Sequence, residues 1–76
     1  MWDRITSDQA ILGGKPIIIG TRISVEVILE WVASGASKDE ILLRHPHLTA
    51  VDVEQALHYA AAETKNEVLL MSQVVG

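Results

Sequence analysis

The chain contains no cysteine, and this absence removes several kinds of chemistry at once. Without thiols there can be no disulfide, no cysteine-ligated zinc site and no cysteine nucleophile. The absence also fits a reducing compartment. A chain of 76 residues is one domain at most, and a domain of that size buries only about 60% of the surface that its unfolded chain exposes. Its stability therefore depends on help other than disulfides.

A membrane-length apolar run is also missing from the sequence. No stretch approaches the roughly 18 consecutive apolar residues that a membrane-spanning helix needs. The first four residues, Met1 to Arg4, do not follow the basic-then-apolar order of a signal peptide. We therefore expect a cytoplasmic protein that has no membrane partner.

Positive charge is scarce, whereas apolar residues are abundant. Ten acidic residues stand against six basic ones, for a net charge of -4, which argues against a generally basic nucleic-acid binder but leaves room for a local basic patch. Hydrophobic residues make up 49% of the chain, and the mean hydropathy is +0.25. The core of so small a domain cannot bury that much apolar surface. The composition therefore predicts burial between chains, in a homodimer. The alternative is a single domain with an apolar tail.

The first 23 residues carry strand and turn signals that predict a β-hairpin arm. Two short runs rich in β-branched residues, Ile11 with Leu12 and residues 17–19, flank the pair Gly13 and Gly14, which is a hairpin-turn signal. Pro16 lacks an N–H donor and therefore places the start of the second strand at a sheet edge.

Residues 24–65 carry the signals of three helices. Ser24 can cap the first helix and Gly35 can end it. A capping box of the S-x-x-E type starts the second at Ser37, and Pro46 limits its far end. The third begins at Thr49, runs to about residue 65, and repeats apolar residues at three- and four-residue steps: Val53, Ala56, Leu57, Ala60 and Ala61. Off that stripe, in solvent, we expect Asp52, Glu54, Gln55, His58 and Glu63.

These elements predict an α+β, mostly α fold: an N-terminal β-hairpin followed by a three-helix bundle that contains a helix-turn-helix. We expect residues 1–76 to form a single domain, with the arm at 1–23, the bundle at 24–65 and an apolar tail or helix extension at 66–76. The tail holds one charged residue, Glu67. It carries six large apolar side chains, which predict partner binding: Val68, Leu69, Leu70, Met71, Val74 and Val75.

No constellation in the sequence supports catalysis. The order of Gly13, Gly14, Lys15, Gly20 and Thr21 departs from that of a phosphate-binding loop, which needs glycine, four residues, and then glycine-lysine-serine/threonine before a helix. The three histidines lack metal-ligand spacing, and His45 is explained more simply by its place at a helix C-terminus. We expect no enzyme activity, no catalytic residue, no metal, no cofactor and no small-molecule substrate.

Nucleic-acid binding is harder to judge from the residues. If the third helix were a recognition helix, its first turns would bring Asp52, Glu54 and Gln55 toward DNA, and only Gln55 is a natural base reader. The cations lie in the arm and on the second helix. The candidate DNA-binding residues are therefore Lys15, Arg22, Lys38, Arg44 and Gln55. The alternative is that the cations are ordinary surface charges and that Arg22 pairs with an acid.

The segment from Gly13 to Val25 reads GGKPIIIGTRISV, and it resembles the signature of the family called domain of unknown function 433 (DUF433). Further matches extend over about residues 3–62. The resemblance implies a small prokaryotic helix-turn-helix protein. Many such proteins are regarded as antitoxins of type II toxin–antitoxin pairs, similar to VapB-type antitoxins, with PIN-like metal-dependent ribonucleases as their toxins.

Taken together, the sequence and the resemblance predict a non-enzymatic antitoxin-like binding protein. It would neutralise a PIN-like ribonuclease by covering it with the apolar tail, and operator DNA binding would be a further activity. The alternatives are a stand-alone DNA-binding transcriptional regulator and a homo-oligomeric structural or assembly module.

Overall fold

The fold is a small antiparallel β-arm followed by three helices, as the sequence predicts. The structure is a computed structural model that describes residues 2–64. Strands β1 and β2 span Ile5–Thr6 and Ile17–Ile18, and the helices α1, α2 and α3 span Val25–Ala33, Lys38–Arg44 and Ala50–Thr64. The α+β, mostly α fold class is confirmed. None of these helices is long and apolar enough to cross a membrane.

The first strand, however, lies earlier in the chain than the sequence suggests. β1 pairs antiparallel with β2, with Ile5 opposite Ile18 and Thr6 opposite Ile17. The predicted strand at Ile11 and Leu12 is wrong, as is the predicted hairpin turn at Gly13 and Gly14. Leu12–Gly14 instead forms a 3-10 turn within a longer connection, with the two glycines at φ 66° and 88°. Leu12 itself has a φ of 49°, which lies outside the extended region that a strand requires.

The helix boundaries follow the capping signals in the sequence. The Ser24 hydroxyl accepts from the Val27 N–H at 3.0 Å, and Ser37 and Glu40 form the reciprocal capping box at 3.1 and 3.0 Å. Gly35 adopts φ 98° after α1, a left-handed conformation that costs a glycine little. The predicted starts of α1 and α2 and the predicted stop of α1 are confirmed.

The core is formed by the buried sides of α1, α2 and α3 and includes Ile18 of β2. The apolar stripe predicted on α3 is buried, with Val53 and Ala56 fully so. The residues of the main cluster are Ile18, Val25, Ile28, Ile41, Leu48, Val53, Ala56, Leu57 and Ala60. Three of the α3 members are alanine or valine, and such small side chains let helix backbones approach closely.

Two adjacent isoleucines allow a direct test of this core. Ile18 is fully buried and Ile19 is 41% exposed. We expect Ile18→Ala to lower the free energy of unfolding by about 2–5 kcal/mol, because it removes buried methyl groups and leaves a cavity. Ile19→Ala should cost about 1 kcal/mol or less. Urea unfolding of both variants measures the difference, with Ile18→Val as a milder substitution should the alanine variant fail to fold. Equal losses at the two positions would show that β2 is placed wrongly.

Candidate interaction surfaces

A charged side chain lies fully buried at the start of α3. The exposed fraction of Asp52 is 0%, although we expected it in solvent, and that expectation is wrong. The Arg4 Nε donates to its Oδ1 at 2.6 Å, and the Thr49 N–H donates to its Oδ2 at 2.9 Å. The Asp52 N–H in turn donates to the Thr49 hydroxyl at 3.2 Å. Asp52 therefore takes part in the cap of α3 and at the same time binds Arg4 of the N-terminal segment.

Gln55, one turn further along α3, contacts the same segment. Its Oε1 accepts from the backbone N–H of Arg4 at 2.9 Å, and its Nε2 donates to the Asp3 carboxylate. Trp2 also meets Tyr59 edge to face, with ring centroids 5.7 Å apart. The amide that the sequence offers as a base reader is thus engaged at both ends within the chain.

The electrostatics of the Arg4–Asp52 pair set the charge state of the buried carboxylate. Burial by itself would raise the pKa of Asp52. The hydrogen bond from Arg4, the Thr49 N–H and the positive charge of Arg4 outweigh burial and hold this pKa below its ordinary value. The same hydrogen bond and the negative charge of Asp52 raise the pKa of Arg4. Both groups are therefore ionised near neutral pH.

The predicted DNA-binding cations divide into two kinds. Lys15 pairs with Glu26 at 3.1 Å and Lys38 pairs with Glu54 at 2.9 Å, so an acid neutralises each of these lysines. Arg22 and Arg44 are exposed. Among residues 2–64 neither arginine forms an ion pair. The five candidate residues are distributed over the arm, α2 and α3, and their role in DNA binding stays a prediction.

The outward face of α3 occupies the position of a recognition helix in a helix-turn-helix. Its exposed residues are Val51, His58, Ala62 and Glu63. Glu54 is half-buried and paired with Lys38. Over the described part of α3, this face therefore presents no unpaired cation to a phosphate backbone.

A cleft between α1 and α2 is the feature that the sequence does not reveal. The rings of Trp31 and His45 stack with centroids 4.2 Å apart and planes at 12°. Beside them lies a cleft of about 260 Å³, whose lining includes Ile41 and Arg44. Trp31 lies on α1 and His45 directly follows α2, so no local spacing predicts the stack. Residues 2–64 hold no cluster of three or more side chains suited to a metal ion.

The predicted partner-binding residues of the tail lie outside the described residues. They are Val68, Leu69, Leu70, Met71, Val74 and Val75. Their role as a binding segment stays a prediction.

Comparison with known proteins places the chain in a family. The model of the family described as "Protein of unknown function (DUF433)" matches residues 5–60. The chain belongs to this family, as its glycine-rich signature indicates.

Two relatives support the assignment. The uncharacterized protein y4eO of Sinorhizobium fredii (strain NBRC 101917 / NGR234) is 40% identical over 58 residues, which are 76% of this chain and 26% of that protein. The chain thus spans about a quarter of its length. The crystal structure of a DUF433 member from Anabaena variabilis ATCC 29413 superimposes with a TM-score of 0.74 at 30% identity. It covers 95% of this chain and 69% of that one.

The buried pair predicts an acid-sensitive contribution to stability. Because the folded-state pKa of Asp52 lies below its unfolded-state value, this contribution is complete above the unfolded-state pKa. It is lost as the pH falls below about 4 toward the folded-state pKa. In Asp52→Asn the single amide oxygen cannot accept from both Arg4 and Thr49, so we expect a loss of about 1–3 kcal/mol at neutral pH.

Urea unfolding at pH 7 and in steps below pH 4 provides the test. Asp52→Asn should be less stable at neutral pH and should lose less stability on acidification than the wild type. Asp39→Asn removes an exposed carboxylate of α2 and serves as the matched control, which should retain the acid sensitivity. Equal acid sensitivity of the wild type and Asp52→Asn would contradict the assignment.

Proposed function

We propose that this DUF433 protein is a non-enzymatic, cytoplasmic binding module of the antitoxin type, acting as a homodimer. Its partner would be a PIN-like ribonuclease, which it neutralises by covering part of the enzyme. The observation that carries this proposal is the outward face of α3. A helix in the recognition position without an unpaired cation is poorly suited to DNA, so the fold is free to serve a protein partner.

The exposed apolar side chains support a protein partner. Four large aliphatic residues of the described chain lie well exposed: Leu12 at 47%, Ile19 at 41%, Leu43 at 83% and Val51 at 50%. Exposed aliphatic surface has little to offer a phosphate backbone, whereas it contributes directly to protein association. The class of partner comes from the family resemblance, and the proposal rests on that resemblance to this extent.

Neutralisation in living cells tests the proposal. The ribonuclease is identified by pull-down with the tagged full-length chain from its native cells, and is then expressed with and without that chain in a host. We expect the full-length chain to restore growth and to form a stoichiometric complex in size-exclusion chromatography. A chain that neither restores growth nor forms a complex with any PIN-like ribonuclease would overturn the proposed function.

The tail provides the second arm of this experiment. A variant ending at residue 65 lacks the six apolar side chains of the tail and should no longer restore growth. The shortened chain should still unfold cooperatively on heating, as followed by circular dichroism, since the core cluster lies within residues 18–60. If the shortened chain still protected the cells, the tail would have no part in neutralisation.

A stand-alone DNA-binding regulator is the second candidate function. The observation in its favour is that Arg22 and Arg44 are exposed and form no ion pair within residues 2–64. A symmetric dimer would present each of these arginines twice.

The salt dependence of binding to the promoter fragment of its own gene tests this candidate. Each phosphate contact contributes about 0.9 to the slope of log K against log salt concentration, so a variant with Lys15→Ala and Arg22→Ala should flatten that slope by one contact or more. An unchanged slope would remove the arm from DNA binding.

A further inference from the structure

The cleft between α1 and α2 has no part in the proposed function, yet its size and lining suit a ligand. Its volume of about 260 Å³ lies just below the roughly 300–1,000 Å³ of pockets that take drug-sized molecules. The lining consists of Trp31 of α1, the loop at residues 34–36, and residues of α2 with the histidine that follows it. A cleft of that size accommodates a single flat ring system.

The apolar part of the lining contains an aromatic pair that is fixed in place. Trp31 and His45 are half-buried, and their rings stack with centroids 4.2 Å apart. The Ala36 N–H donates to the Trp31 carbonyl at 3.0 Å, and the His45 N–H donates to the Ile41 carbonyl at 2.9 Å. A site that is ordered before binding loses little conformational entropy when a ligand enters. This part of the lining therefore suits an aromatic ligand.

The polar part of the lining pairs an acceptor with a donor on one helix. Glu40 and Arg44 both line the cleft, and residues four apart lie on the same face of a helix. The hydrogen bond from the Ser37 N–H is the main reason why the pKa of Glu40 lies below its ordinary value, and the charge of Arg44 lowers it further. The two side chains are thus close enough to interact electrostatically.

Both side chains keep hydrogen-bonding capacity for a ligand. The Oε1 of Glu40 accepts from the Ser37 N–H at 3.0 Å, whereas its Oε2 has no hydrogen-bond partner among residues 2–64. Within the same residues, Arg44 forms no hydrogen bond and no ion pair, and its guanidinium carries five N–H donors. The cleft therefore offers free donors beside a free acceptor.

This combination of charges selects a neutral ligand. An anion would be attracted by Arg44 but repelled by Glu40, and a cation would meet the reverse. A flat neutral ring that carries acceptors on one edge and donors on the next satisfies both side chains. Among the RNA bases only guanine has two adjacent acceptors, O6 and N7, beside two adjacent donors, N1–H and the N2 amino group.

We propose that the cleft between α1 and α2 binds a guanine base. The base contacts the pair of Trp31 and His45, Arg44 donates to its O6 and N7, and Glu40 accepts from its N1–H and N2 amino group. Single-stranded RNA presents bases in this way, to aromatic side chains and through these edges, and a free guanine nucleotide carries the same chemistry. The inference does not rest on the proposed function.

Calorimetric titration of the full-length chain with nucleosides provides the test, because a nucleoside carries the base without a phosphate. We expect the wild type to bind guanosine and to bind adenosine, cytidine and uridine at least about tenfold more weakly. Inosine lacks only the N2 amino group and should also bind about tenfold more weakly, since a bidentate contact to a base gives about that much discrimination.

Two variants separate the contacts to the base. Glu40→Gln keeps the capping box, in which glutamine replaces glutamate without loss of the motif, and should weaken guanosine binding about tenfold while changing inosine binding less. Arg44→Gln should weaken the binding of both nucleosides. The matched controls Asp39→Asn and Arg22→Gln change an exposed carboxylate of α2 and an exposed arginine of the arm. Both should bind guanosine within about twofold of the wild type.

The source of the base is identified with two further probes, guanosine monophosphate and a single-stranded uridine oligomer that contains one guanosine. Tighter binding of the oligomer than of guanosine, lost when adenosine replaces the guanosine, would support the proposal with RNA as the source. Equal binding of guanosine and its monophosphate, with no gain in the oligomer, would support it with a free nucleotide.

Three results would overturn the proposal. The first is the absence of binding to guanosine, its monophosphate and the oligomer up to millimolar concentration. The second is equal binding of all four nucleosides, or guanosine binding that Glu40→Gln and Arg44→Gln leave unchanged. The third is a loss of affinity for a purified protein partner in these two variants when the wild type binds no guanosine, which would make the cleft a protein-binding site. Failure to neutralise a ribonuclease would leave the guanosine result unaffected.

Discussion

The ion pair between Arg4 and Asp52 is the constraint on which the arm of this protein depends. The strands β1 and β2 contain two residues each, and so short a pairing is marginal in water. The 2.6 Å hydrogen bond from Arg4 to a fully buried carboxylate joins residues that are 48 positions apart. Gln55 adds two further contacts to the same segment. Because α3 holds the start of the chain in this way, β2 and the turn that follows it have a fixed partner.

Pairing within the chain also determines which charged groups are free at the surface. The carboxylate of Asp52 and the amide of Gln55 form hydrogen bonds with other residues of the chain. Glu26 and Glu54 neutralise Lys15 and Lys38. Salt bridges of this exposed kind contribute little to stability, but they remove the lysines as free cations. Among residues 2–64, two arginines form no ion pair: Arg22 on the arm and Arg44 at the end of α2.

Local signals in the sequence were sufficient for the helices but insufficient for the arm. Ser24, Gly35 and the Ser37–Glu40 box act within one helical turn, so each could be predicted from neighbouring residues. The spacing of Val53, Ala56 and Ala60 identified the buried face of α3 for the same reason. The first strand was placed wrongly and Asp52 was expected in solvent, because both depend on Arg4, which lies far from α3 in sequence. The stack of Trp31 on His45 likewise joins α1 to the residue that follows α2, so no periodic pattern in the sequence predicts it.

The helix-turn-helix outline does not decide the function of this protein, because the outline describes how two helices pack and says nothing about what their exposed faces carry. A DNA reader needs cations that are free to displace counterions from phosphates. In this chain the helix in the recognition position offers Val51, His58, Ala62 and Glu63 to the outside. The unpaired Arg44 lies instead beside Leu43, on the preceding helix. The outline is thus retained in this chain, whereas the described part of α3 lacks the free positive charge that a DNA reader would need there.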